Sequence, residues 1–158
     1  MNSNFNKNFG WQSNYYPQIK SILMENLGKI VNINIADQEQ DMKRATDFVI
    51  TMTGGDVAVR IRRDGYYKFH DFTIRSSKPS GHKTELQKII DGYGDFYLYC
   101  WTVGDDIKKW VLINLEKLRI SGILNKPRRE IQNTDGSSNF IAIGLDELGD
   151  SIIAERDE

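Results

Sequence analysis

The sequence is poor in the residues that build redox and zinc sites, with one cysteine and two histidines among 158 residues. A lone cysteine excludes an internal disulfide, and Cys100 lies in an apolar, aromatic run that favours a buried thiol. Two histidines and one cysteine are too few for a zinc site of the usual kind. Neither a serine nor the cysteine is set in a nucleophile elbow. We therefore set these classes of catalysis aside.

Glycine-rich phosphate loops are also missing. There is no Walker-type loop and no GxGxxG turn after a strand, which argues against the common nucleotide and dinucleotide sites. No apolar run has membrane length and no signal peptide is recognisable, so we expect a cytoplasmic protein without a membrane partner. The remaining toolkit of carboxylates, basic residues and an oxygen-loving divalent cation suits phosphodiester hydrolysis.

An overall excess of positive charge is absent as well, since 21 Lys and Arg stand against 22 Asp and Glu, for a net charge of −1. Any nucleic-acid footprint must therefore be a local patch. One basic cluster does occur between residues 57 and 88, and it comprises Arg60, Arg62, Arg63, Lys68, Arg75, Lys78, Lys83 and Lys88. This asymmetry indicates either a polyanion partner or a solvated surface.

Residues 45–63 have the pattern of a β-hairpin. Two runs rich in β-branched residues, 47–52 and 57–62, flank Gly54-Gly55, a dipeptide typical of tight turns with positive φ. With both glycines in the turn, the expected cross-strand pairs are Thr51 with Ala58, Val49 with Arg60, and Asp47 with Arg62. Because side chains alternate along a strand, Asp47, Arg60 and Arg62 would share one face, opposite an apolar face.

This arrangement resembles the PD-(D/E)XK, or restriction-endonuclease-like, nuclease superfamily, in which an Asp on one strand meets an acid-x-Lys triplet on the adjacent antiparallel strand. Asp47 matches the Asp, and Arg60-Ile61-Arg62 falls on the triplet. The run FTIRS…TEL.KI..G.GD at residues 72–95 is similar to small proteins of phage or mobile-element type. For a phage-encoded protein, the compartment would be the host cytoplasm.

The chain departs from the superfamily where the second metal-binding carboxylate belongs. Arg60 stands at that position, and a guanidinium does not ligate Mg²⁺. Either another acid has taken this role, or the catalytic centre is lost. Glu85 is the first candidate, because the resemblance implies that a displaced acid can stand on the helix after the central strands. Residues 84–87 form a capping box that places Glu85 in the first turn of such a helix. Asp71 and Asp41 are further candidates.

The predicted fold is α/β (α+β), with a central mixed β-sheet, an N-terminal helix and a helix after the third core strand, as the restriction-endonuclease-like resemblance implies. We expect a flexible arm at 1–14 and one domain at 15–158. Periodicity predicts helices at 17–28, 84–91, 115–119 and 145–153, and further strands at 29–35, 71–75, 95–101, 108–114 and 140–143. The strand at 71–75 is expected to extend the polar face of the hairpin, whereas the chain beyond residue 125 should seal the core without contributing chemistry.

Two functions fit these expectations. As a nuclease, the chain would use Asp47, Glu85 and Arg62 in catalysis and hold Mg²⁺ or Mn²⁺ with Asp47 and one or two of Glu85, Asp71 and Asp41. Arg62 would stabilise charge in the transition state, while DNA, favoured over RNA, would contact Arg60, Arg63, Arg75, Lys83 and Lys88. As a binding module without catalysis, the chain would pair Asp47 with Arg62 and aim Arg60 and Arg75 at phosphates or at an acidic protein. A third function is a structural or inhibitory phage protein whose polar face binds protein. A homodimer is left open in all cases.

Overall fold

The computed structural model describes residues 10–28, 30–35, 48–52, 54–78, 81, 83–134 and 136–157. Its helices are α1 (Tyr16–Leu27), α2 (Glu85–Ile90) and α3 (Leu115–Ser121), and short 3-10 turns span Ile123–Asn125, Leu145–Glu147 and Gly149–Ser151. Its strands are β1 (Ile30–Ile35), β2 (Phe48–Met52), β3 (Gly55–Arg62), β4 (Asp71–Ser77), β5 (Phe96–Val103), β6 (Asp106–Asn114), β7 (Ile131–Gln132), β8 (Asn139–Gly144) and β9 (Ile152–Asp157). Residues 10–13 are also helical, although we expected them in the loose arm.

A mixed sheet of six strands forms the centre of the fold, in the order β1-β2-β3-β5-β6-β9. The first three strands are an antiparallel meander, β5 runs parallel to β3, and β5, β6 and β9 are again antiparallel. The parallel pair needs a crossover between β3 and β5, and this connection contains β4 and α2. The α+β fold class with a mixed central sheet is therefore confirmed.

One face of the central sheet packs against α1. Pro17 lies in the first turn of this helix, where its missing N–H costs no hydrogen bond, and Gly28 ends the helix with φ +101°. Ile19 and Leu23 are fully buried on the sheet, together with Val59 and Leu98. Burial of side chains of this size stabilises the fold by about 1.5–3 kcal/mol each. Trp11 also packs against this core from the helical turn at 10–13.

The opposite face packs against a second sheet of three strands, in the order β4-β8-β7, and against α2 and α3. Phe72 and Ile74 of β4 are fully buried against Tyr97 and Tyr99 of β5. The strand predicted at 71–75 thus exists, but it does not join the hairpin in the central sheet. Its partner is β8 in the second sheet, which comes from a distant part of the chain.

The β2–β3 hairpin differs from the expected register by two residues. Met52 pairs with Gly55 and Val49 pairs with Ala58, so the connection is residues 53–54 and Gly55 already belongs to β3. Gly55 has φ +139°, and a Cβ built there would lie 2.6 Å from a carboxylate oxygen of Asp95. Only glycine fits this position without strain. A shift of two residues leaves every side chain on its expected face.

The C-terminal segment does not form the closing helix predicted at 145–153. Two 3-10 turns are followed by β9, which pairs antiparallel with β6 at the edge of the central sheet. Gly149, with φ +52°, interrupts any continuous helix. In the part of the chain that the structure describes, no helix is both long and apolar enough to span a membrane.

Candidate nucleic-acid interface

The two arginines of the predicted motif lie on the face of β3 that meets the second sheet. Arg60 and Arg62 are opposite Tyr99 and Trp101 of the parallel strand β5. Both arginines are half-buried, because the second sheet covers the aromatic residues beside them and leaves a gap along β3. Tyr97, Tyr99 and Trp101 of β5 are at most 1% exposed, so these three rings cannot stack on bases.

Three guanidinium groups line one cleft of about 160 Å³ between β3 and the second sheet. We call it the arginine cleft, and its walls are Arg60, Arg62, Thr73, Arg75, Asn133 and Phe140. Arg75 comes from β4, where it is the cross-strand partner of Phe140 on β8. The cleft thus offers charged donors from two strands, a hydroxyl, an amide and one aromatic ring.

The guanidinium of Arg62 donates its hydrogen bonds to neutral oxygen atoms of described residues. Arg62 donates through Nη1 to Thr73 Oγ1 at 2.6 Å and to Tyr99 Oη, and its guanidinium lies 4.1 Å from the centroid of the Tyr66 ring. Neither Arg62 nor Arg75 has an ion-pair partner among the residues that the structure describes. Their positive charges are therefore not cancelled by a carboxylate, and they favour an anion in the cleft.

Arg60 differs, because its Nη2 donates to Glu85 Oε2 at 2.6 Å. Thr84 caps α2 through its side chain and Gln87 completes the capping box, as the sequence predicts. The capping box fixes the first turn of α2, and the Glu85 side chain is only 2% exposed. An acid in the first turn is also favoured by the helix dipole. Glu85 thus binds the arginine that replaces the expected carboxylate.

At Glu85, the first metal ligand expected from the sequence, one carboxylate oxygen is already bound to an arginine. Glu85 Oε2 is in contact with a guanidinium, whose charge repels a metal ion. Thr84 Oγ1 donates to the carbonyl oxygen of Ser76 at 3.4 Å. Ser76 therefore lies beside the start of α2, whereas Asp71 lies five residues before Ser76 on β4, about 16 Å from it along the strand. One ion therefore cannot bridge Asp71 and Glu85.

The remaining predicted metal ligands, Asp47 and Asp41, lie outside the described residues. Within the described ranges, no group of three or more His, Cys, Asp and Glu side chains is arranged to hold a metal ion.

The other predicted basic contacts have different environments. Arg63 is exposed, and its guanidinium stacks 4.4 Å from the centroid of the Trp11 ring. Lys83 forms an ion pair with Asp91 at 2.7 Å, and this hydrogen bond raises the pKa of Lys83. Lys88 is only 7% exposed. Of the five basic residues predicted to bind nucleic acid, the structure brings Arg60 and Arg75 into one cleft.

A second pocket of about 150 Å³ lies on the other side of the Arg60–Glu85 pair. We call it the carboxylate pocket, because Asp56 and Glu85 line it together with Lys88. Asp56 accepts a hydrogen bond from Thr51 Oγ1 at 3.0 Å. The spacing of Glu85 and Lys88, three residues apart on one helix face, could have identified this pair from the sequence. Asp56 gave no such signal.

Three residues of the arginine cleft were not predicted from the sequence: Thr73, Asn133 and Phe140. They come from β4, from the turn after β7, and from β8, so no local motif joins them. Asn133 and Phe140 lie in the part of the chain that we expected to contribute no chemistry.

No protein-family model, curated protein or solved structure matches this chain.

Proposed function

We propose that this chain is a nuclease-like domain that acts on nucleic acid and binds its phosphates in the arginine cleft. The observation that carries the proposal is the convergence of Arg60, Arg62 and Arg75 on one cleft, where two of the three have no ion-pair partner among the described residues. Guanidinium groups bind phosphate oxygens through paired hydrogen bonds. Thr73 and Asn133 add neutral polar groups at the wall.

The order of elements supports the nuclease-like part of the proposal. A helix precedes a three-stranded antiparallel meander, a crossover with a helix follows, and the next strand is parallel to the third. The resemblance implies an opening helix, an antiparallel strand pair that carries the motif, and a helix after the central strands. The Arg-x-Arg triplet lies on the third strand of the meander.

Metal-dependent hydrolysis is a second candidate, and the carboxylate pocket is the observation in its favour. Asp56, Glu85 and Lys88 line this pocket, and Arg60 connects it to the arginine cleft through its ion pair with Glu85. A phosphate bound to Arg60 would thus lie near the Glu85 carboxylate that this pocket shares with the ion pair. Mg²⁺ or Mn²⁺ would supply charge neutralisation and an activated water.

Binding is tested with fluorescently labelled DNA of single-stranded, duplex and branched form, by anisotropy at several salt concentrations. Arg75→Ala is the most informative variant, because the Arg75 side chain has no hydrogen-bond or ion-pair partner within the described residues and its loss should leave folding intact. We expect weaker binding and a salt slope lower by about 0.7–0.9, the value for one lost phosphate contact. Lys20→Ala is the matched control, since it removes one positive charge from α1 on the opposite side of the sheet.

The same DNA is incubated with Mg²⁺ or Mn²⁺ to test hydrolysis. Cleavage by the wild-type chain that is lost in Glu85→Gln supports the second candidate. Salt-dependent binding without cleavage supports binding alone. The proposal is overturned if the wild-type chain does not bind at low salt, or if Lys20→Ala weakens binding as much as Arg75→Ala does.

A further inference from the structure

An exposed aromatic pair lies directly beside the arginine cleft. Tyr66 and Phe69 are each 44% exposed, and their ring centroids are 6.2 Å apart. The Tyr66 ring covers the guanidinium of Arg62, which lines the cleft, so the pair is contiguous with it. We call this pair the aromatic platform. Neighbouring exposed aromatic side chains on a monomer surface are typical of binding sites.

The loop that carries the platform is held firmly in place. Lys109 is 2% exposed, and its Nζ donates to the carbonyl oxygens of Tyr67 and Phe69, both at 2.8 Å. The N–H of Phe69 donates to the carbonyl oxygen of Tyr66 at 3.0 Å, which closes a turn between the two rings. The rings are therefore exposed on an ordered support, which lowers the entropic cost of stacking a ligand on them.

Each ring of the platform has a cation beside it, with the guanidinium of Arg62 4.1 Å from the centroid of the Tyr66 ring. The Nζ of Lys68 lies 5.3 Å from the centroid of the Phe69 ring. An apolar surface next to cations fits a ligand that combines flat rings with negative charge. Protein sites for single-stranded nucleic acid combine a basic groove for the backbone with aromatic rings for the bases. In a duplex, base pairing and stacking keep the base faces away from such rings.

We infer that the nucleic acid bound at this site is single-stranded, with its bases stacked on Tyr66 and Phe69 and its phosphates in the arginine cleft. This inference rests on the proposed function and adds the class of substrate. Lys109 then has a positioning role, because its two hydrogen bonds to the carbonyl oxygens of Tyr67 and Phe69 hold the loop that carries both rings.

Phe69→Leu is the sharpest test, because Phe69 does not contact Arg62 and the change removes a ring but no charge. We expect its affinity for a labelled single-stranded oligonucleotide to fall at least about fivefold, with an unchanged salt slope. Phe69→Tyr is the matched control, and it should bind like the wild-type chain because it keeps the ring. An oligonucleotide of equal length with abasic sites provides the second arm. Phe69→Leu should not weaken its binding, since there is no base to stack.

The outcomes separate this inference from the proposed function. If duplex binds as tightly as single strand and Phe69→Leu binds normally, while Arg75→Ala weakens both, the inference fails and the phosphate cleft stands. If Phe69→Leu weakens the abasic oligonucleotide as much as the normal one, stacking is refuted. If no nucleic acid binds at low salt, both proposals fail.

Discussion

Replacing Arg60 by methionine separates the two halves of the site, because it keeps the apolar stem and removes the guanidinium that binds Glu85. The bond joins Arg60 Nη2 to Glu85 Oε2 at 2.6 Å, with the two side chains 16% and 2% exposed. Removing one partner of a buried pair typically costs about 3–5 kcal/mol. Because Arg60 is partly solvated, we expect the low end of that range, about 3 kcal/mol.

Glu85→Gln should cost less, about 1.5 kcal/mol, because the amide oxygen still accepts a hydrogen bond from the guanidinium. The double variant should be less unstable than the sum of the two changes, with a coupling energy of about 2 kcal/mol. Urea unfolding of the wild-type chain and the three variants measures this cycle. For a chain of 158 residues, a loss of about 3 kcal/mol would lower the Tm by roughly 6–12 °C.

The same variants should affect nucleic-acid affinity differently from stability. Glu85 competes with any bound phosphate for Arg60, so Glu85→Gln should bind nucleic acid more tightly even though it is less stable. Arg60→Met should lose both stability and affinity. A coupling energy below about 0.5 kcal/mol, typical of a solvated surface pair, would refute the ion pair as a structural feature. Unchanged affinity in Glu85→Gln would refute the competition.

Three further changes test other parts of the fold. Gly55→Ala should destabilise the chain by about 1–3 kcal/mol in urea unfolding, because φ is +139° at this position. Gly54→Ala is the control, because no atom lies within 4 Å of the added Cβ. Equal losses of stability in the two variants would contradict the register. The hydrogen bond from Arg128 lowers the pKa of Glu147 from 4.5 to about 2. The stability that this carboxylate contributes is therefore present above pH 4.5 and is lost as the pH falls towards 2. The Tm of Glu147→Gln should vary less with pH than that of the wild-type chain, and parallel curves would refute this. Burial lowers the pKa of Lys109 below 10.5, so the folded chain loses this proton at a lower pH than the unfolded chain does. The stability of the wild-type chain relative to Lys109→Met should therefore rise with pH up to 10.5. The loop of Lys109→Met should also exchange amide hydrogens faster, and equal pH profiles would contradict the buried ammonium.

The face that carries the arginines was predictable because it depends on local alternation. Side chains of Ala58, Arg60 and Arg62 alternate with buried Val57, Val59 and Ile61. The register was missed by two residues because Gly54 and Gly55 both suit a turn, and only the contact with Asp95, forty residues away in sequence, places Gly55 in the strand. An even error preserves the faces, so Arg60 and Arg62 still share one face despite the wrong pairing.

Elements whose partners are remote in sequence could not be predicted in the same way. Leu145, Leu148 and Ile152 have helical spacing, yet Gly149 interrupts the turn and pairing with β6 makes the last segment a strand. The spacing of these apolar residues does not distinguish a helix from turns followed by a strand. The distinction depends on contacts with β6, which is remote in sequence. The arginine cleft is non-local for the same reason, since its walls come from β3, β4, β8 and the turn after β7.

The chemistry of the acceptors connects the fold to the proposed function. A half-buried guanidinium or a buried ammonium must have its hydrogen bonds satisfied, and either a carboxylate or a neutral oxygen can accept them. Arg62 uses the hydroxyls of Thr73 and Tyr99, and Lys109 uses two backbone carbonyls. Neutral acceptors satisfy the donors without cancelling the charge, so the cleft keeps a positive potential in the folded chain. A polyanion then gains the attraction that a structural carboxylate would have removed, and for this reason the binding proposal depends on Arg62 and Arg75 more than on Arg60.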